Sequence, residues 1–116
     1  MSANSLREIN LEIGNPDVLH ALERVMFEIR HSRKMGVKVL KIIHGYGSSG
    51  RGGKIRKRVR VCLEQLQHSK EIKAYISGEE FSIFNEAARD AIRVCDQLRK
   101  DDDLERSNNG VTYIVL

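Results

Sequence analysis

The sequence predicts a small α/β sandwich, and three observations carry that prediction. Apolar residues recur with period two in short stretches and at helical spacing in longer ones. The two kinds of stretch alternate along the chain, which favours parallel pairing around a central strand. A chain of 116 residues also suffices for one domain with a packed core and no disulfide support.

Ile9, Leu11 and Ile13 alternate with Asn10, Glu12 and Gly14, the pattern of a half-buried strand. Asn15 is placed to cap the next helix, and Pro16 suits its first turn, where a missing N–H loses no bond. Val18, Leu19, Leu22, Val25, Met26 and Ile29 then follow helical spacing, and Gly36 supplies the left-handed residue that ends helices. Val37, Val39, Leu40, Ile42 and Ile43 form the apolar run of a central strand covered on both faces.

From about Gly53 to Gln67, the apolar residues Ile55, Val59, Cys62, Leu63 and Leu66 share one arc of a helix, with Arg56, Lys57, Arg58 and Arg60 on the remaining surface. Ile72, Ala74 and Ile76 mark a third strand closed by Gly78. A third helix is expected from about Ser82 to Cys95, with Phe84, Ala87, Ala88, Ala91, Ile92 and Cys95 on one face. The segment "RKDDDLERSNNG" reads as a solvated loop and "VTYIVL" as a β-prone final strand.

Composition narrows the function classes. Cys62 and Cys95 form neither a CxxC pair nor a disulfide framework and read as core thiols of a reducing compartment. No run approaches the ~20 apolar residues that span a bilayer, and the first ten residues lack a leader's apolar segment, so a cytoplasmic protein without membrane contact is expected. His20, His31, His44 and His68 show no metal-ligand spacing, and neither a metal nor a cofactor is expected.

The net charge of +4 conceals a strong asymmetry. Between Glu28 and Glu64 the chain carries eleven Lys and Arg and no acid, which leaves −7 for the remainder. A field of one sign steers and holds polyanions, so one cationic face meeting an anionic partner is expected.

The stretch "HGYGSSGRGGKIRKRVR" concentrates that charge behind a glycine loop. Gly45, Gly47 and Gly50 match the dinucleotide-binding spacing, but they follow the second strand, and the chain lacks two mononucleotide-binding halves. A Walker A loop fails as well, because Ser48 replaces its glycine and Ile55 follows Lys54 where Ser or Thr would hold magnesium. Ser48 and Ser49 lack a base to activate them.

Lys54, Arg56 and Lys57 in the first turn of a helix oppose its positive dipole end, a conflict that a bound phosphate would reverse. The expected binding residues are therefore His44, Gly45, Tyr46, Gly47, Arg51, Lys54, Arg56, Lys57, Arg58 and Arg60. Tyr46 is the aromatic residue placed to stack on a base there.

At "KIIHGYGSSGRGGKIRKRV" the sequence resembles the small MutS-related (Smr) domain family. That family carries a strand ending in Ile-Ile-His-Gly-x-Gly, a glycine-rich loop and a Leu/Ile-Arg-x-x-Val helix start. These correspond here to Ile42, Ile43, His44, Gly45 and Gly47, then Ile55, Arg56 and Val59. The closing "NGVTYIVL" is similar to the family's C-terminal strand. The first family motif, Leu-Asp-x-His-Gly, falls on "LEIGN", where Leu11 matches, Glu12 replaces Asp, Gly14 replaces His and Asn15 replaces Gly.

The resemblance implies one Smr-like domain over residues 1–116, from whose family pattern the chain departs in an elaborated loop from Ser48 to Gly53 and a helical insertion at about 82–95. It implies a four-stranded mixed sheet with two main helices, like the C-terminal domain of translation initiation factor 3. It also implies a surface for RNA or DNA. Family members associate the first motif and the His-Gly-x-Gly loop with cleavage, which here would fall to His44 and Glu12. Binding without cleavage, weak nicking through His44, and an adaptor that uses the acidic C-terminal part are three distinct expectations.

Overall fold

A computed structural model describes residues 5–14, 16–45 and 51–116, with the backbone alone for residues 51 and 52. The strands are β1 (Leu6–Asn10), β2 (Val39–Ile43), β3 (Ala74–Ser77) and β4 (Val111–Val115). The helices are α1 (Val18–Lys34), α2 (Arg51–His68) and α3 (Glu86–Val94), with 3-10 turns at Gly78–Glu80 and Asp96–Lys100.

The sheet order is β1-β2-β4-β3, with β1 parallel to β2 and β4 antiparallel to both of its neighbours. The four-stranded mixed sheet expected from the sequence is therefore present. Alternation along the two inner strands sorts the core onto two faces. Leu40, Ile42 and Ile114 point toward α1 and α2, where they meet Val25, Ile29, Val59 and Leu63. Val39, Val111, Tyr113 and Val115 point the other way, onto Phe81, Ala88, Ile92 and Leu98. Thus α3 and the second 3-10 turn add cover to the face opposite the two main helices. That explains the continuous apolar run of β2, which is wet on neither side.

Several boundaries depart from the sequence reading. β1 ends at Asn10; Leu11 continues beside β2 through its N–H to the Ile43 carbonyl (2.8 Å), but Ile13 turns outward and is exposed. Asn15 lies outside the described residues. The N-cap of α1 is Asp17, whose carboxylate accepts from the His20 N–H at 2.9 Å, so Pro16 precedes the helix. Gly36 takes a φ of +79°, as expected for a residue just beyond a helix end.

α2 begins earlier than expected, so Arg56 and Lys57 stand in its second turn. β3 begins at Ala74 rather than Ile72. α3 starts at Glu86 behind the cap Asn85, and Phe84 is 84% exposed instead of lying on its buried face.

The acid-rich segment before β4 is not a solvated loop. Lys41 on β2 is buried, and its Nζ meets Asp103 at 2.6 Å and Asp101 at 3.1 Å. The Tyr113 hydroxyl donates to Asp101 at 2.6 Å. Burial opposes the charged form of Lys41, but the two carboxylates outweigh it and raise its pKa. An ammonium under the sheet demands such partners, and it draws the loop inward.

Candidate functional site

The parallel strands β1 and β2 run side by side, so the segments that leave them emerge at the same end of the sheet. Glu12 follows one and His44-Gly45 the other. The Glu12 N–H donates to Asn10 Oδ1 (2.8 Å), and that turn sets the carboxylate against Gly45. A Cβ on Gly45 would stand 2.5 Å from Glu12 Oε2. Gly45 also has a φ of +83°, so both its backbone and its surroundings call for glycine. Of the sequence-predicted residues, Glu12 therefore lies against Gly45, the chain neighbour of His44.

His44 is fully buried. Its N–H and that of Gly45 both donate to the Gly110 carbonyl (3.0 Å each), which ties the loop start to the entry of β4. Its ring has a defined tautomer. The Gly45 carbonyl, 3.0 Å from Nδ1, can only accept, so Nδ1 carries the proton. Nε2 then accepts from the Thr112 hydroxyl at 2.8 Å, and Thr112 Oγ1 accepts in turn from Arg60 Nε at 3.2 Å. Burial, aided by the positive charges of Arg60 and Arg56, lowers the His44 pKa to about 4. The ring is neutral at pH 7, with both nitrogens engaged.

Arg60 anchors this chain of bonds. Its guanidinium grips Glu79 through two bonds of 2.8 and 2.9 Å and reaches the Asn109 and Val111 carbonyls at 3.3 and 3.4 Å. Burial disfavours the Glu79 carboxylate, but the Arg60 fork outweighs it and holds the pKa below the usual range. Gly78 permits this close junction: a Cβ there would lie 1.9 Å from the Asn108 carbonyl oxygen. Sequence reading placed Arg60 among the outward cations and did not single out Thr112. The available signal was a small hydroxyl residue, Thr112, in the otherwise bulky strand "VTYIVL".

The other sequence-predicted residues divide by position. Lys54, Lys57 and Arg58 are exposed on α2, Arg56 is half-buried on the side facing His44, and none of these four meets a carboxylate among the described residues. The backbone of Arg51 opens α2. Tyr46 and Gly47 lie outside the described residues, as do Ser48, Ser49 and Gly50. Gly14, at the position of the first-motif histidine, takes a φ of +84° and has open space around it.

Among the described residues, no group of three His, Cys, Asp or Glu could hold a metal ion, and no helix is long and apolar enough to cross a membrane. A shallow cleft of about 600 Å³ lined by Glu64, Gln65, Gln67 and His68 lies at the far end of α2 from His44. Its position separates it from the His44 network, so it is no part of this site.

Comparison with known proteins agrees with the fold. The structure is similar to the crystal structure of the Smr domain of Thermus thermophilus MutS2, with a TM-score of 0.56 and 21% identity over 95% of this chain and 96% of that one. No curated protein sequence matches the chain. The Smr domain model matches residues 15–81, which run from the end of the first motif through the glycine loop and α2 to the Arg60–Glu79 clamp. The chain belongs to the Smr domain family.

Proposed function

We propose that the protein binds the phosphate backbone of RNA or DNA at the loop after β2 and along the start of α2. One observation carries this reading. In the acid-free stretch Lys41 and Arg60 are consumed by internal carboxylates, whereas Arg30, Lys34, Lys54, Arg56, Lys57 and Arg58 meet none among the described residues. Unpaired cations on neighbouring helices repel one another and are relieved by a polyanion.

In this reading Gly45 and Gly47 let a phosphate approach the backbone, and Arg51, Lys54, Arg56, Lys57 and Arg58 supply charge. Tyr46 stacks on a base, while His44 and Arg60 hold the loop to β4. Neutralising ~4 phosphates at about 0.9 ion each makes affinity fall roughly a hundredfold for a fourfold rise in salt. Anisotropy titration of labelled RNA and DNA measures this, with a shallower slope expected for Arg56→Ala and Arg58→Ala; a flat salt response rejects the reading.

The contact between Glu12 and Gly45 favours a second reading, weak nicking with Glu12 and His44 as the reacting groups. It requires the His44 ring to release Thr112, because both of its nitrogens are otherwise engaged. Nicked product that disappears in Glu12→Gln, a variant that leaves the His44 bonds in place, supports cleavage. Retention of nucleic acid without product supports binding alone.

A further inference from the structure

The charge of the acid-free stretch is not confined to the glycine loop; it continues across the outer surface of α1. Phe27 is 60% exposed there, and its ring stacks on His31 with centroids 5.6 Å apart and planes 14° from parallel. Arg30 and Lys34, at i+3 and i+7 from Phe27, share the same side of the helix and meet no carboxylate among the described residues. Met26 touches Cys62 of α2 (Sγ–Sδ 3.9 Å), so the two helices pack side by side, with Arg30 one turn from Met26 on α1 and Arg58 one turn from Cys62 on α2.

Aromatic residues are scarce in this chain. Phe81 and Tyr113 pack against each other in the core, which makes an exposed, flat aromatic pair, with Arg30 and Lys34 toward the C-terminus of α1 and the exposed Glu23 one turn before it, a distinct feature. Among the described residues nothing covers Phe27, and the cations at its C-terminal side fit an anionic molecule with flat faces.

We propose that Phe27 and His31 form a stacking platform for an unpaired base of single-stranded nucleic acid, with Arg30 and Lys34 on the flanking phosphates. This rests on the nucleic-acid reading above and specifies the strand type. A duplex keeps its bases stacked inside and offers α1 its phosphates alone, whereas a single strand can splay a base onto an aromatic face.

The chain contains no tryptophan, so Phe27→Trp creates a unique fluorophore at the platform. Oligo(U), oligo(dT) and a duplex of matched length are titrated against the wild type, Phe27→Trp and Phe27→Ala. Stacking predicts that single strands quench the new indole while the duplex does not. It also predicts that Phe27→Ala loses about tenfold in single-strand affinity, the scale of one stacked base. Duplex affinity should be unchanged.

Salt-dependent binding with an unquenched indole and equal affinities in Phe27→Ala overturns the platform and leaves the broader reading standing. Absence of all binding by the wild type overturns both. Binding to phosphatidylserine vesicles that depends on Phe27, without nucleic-acid binding, assigns the patch to a lipid surface and rejects the proposal.

Discussion

At His44, charge and position are coupled through a single proton. The ring ionises at about 4 in the fold, against 6.5 for a free side chain, because burial and the nearby arginines penalise its cation. Between those values the unfolded chain takes up a proton that the folded chain refuses. Stability from this group is therefore complete above pH 6.5 and is lost as pH falls toward 4, by about 3 kcal/mol over the window. Glu79 and Asp103, both held below the usual carboxylate range, lose their contributions at lower pH. Denaturant unfolding at intervals from pH 7 to 4 should show this slope in the wild type and a flatter one in His44→Gln. Equal slopes in the two proteins would exclude His44 as the source.

How much of the site was legible follows from what each residue type can reveal. His44 and Gly45 were readable because a histidine and a glycine at the end of an apolar strand are visible as a pattern. The taming of Arg60 was not, since nothing in "KIRKRVR" distinguishes an arginine that meets Glu79 from one that meets solvent. That distinction is made by the helix phase and by a loop about twenty residues away.

Among the elements, helices were found by period and misplaced by their ends. Both Asn15 and Asp17 are good capping types, and each leaves a workable first turn. The choice falls to Asp17, whose carboxylate takes the His20 N–H and also lies 2.8 Å from the His20 ring. Asp17→Ala should cost about 1 kcal/mol and Asp17→Asn much less, measured by thermal or chemical unfolding. No loss in Asp17→Ala would mean that another group satisfies the end of α1. The start of α3 was misjudged for a related reason. Phe84 matched the apolar period, but the helix begins only after Asn85, which accepts from the Ala88 N–H at 2.9 Å.

For the whole molecule, the segment least legible in sequence proves one of the most constrained. Three consecutive aspartates look like solvated chain, and two of them instead enclose Lys41. Removing that ammonium leaves a buried Asp101 without its charge partner. Lys41→Met should therefore lose about 3 to 5 kcal/mol at neutral pH. The deficit should shrink on acidification, because the stranded carboxylates can then protonate. A deficit that stays constant from pH 7 to 4 would show that lost packing, not charge, is responsible.

β4 is the last strand in sequence and yet an inner strand of the sheet, and β3 pairs with nothing else. This imposes an order on assembly. β1, β2 and their two helices can come together through neighbouring segments, while β3 must wait for a strand that lies beyond α3 and its loop. During that interval the second edge of β2 is an unpaired backbone ladder lined by apolar side chains, open to another copy of the same chain. Pairing with β4 covers that edge, gives β3 its partner and sets Thr112 against His44. The strand that shields β2 from another copy is therefore the same strand that completes the candidate site.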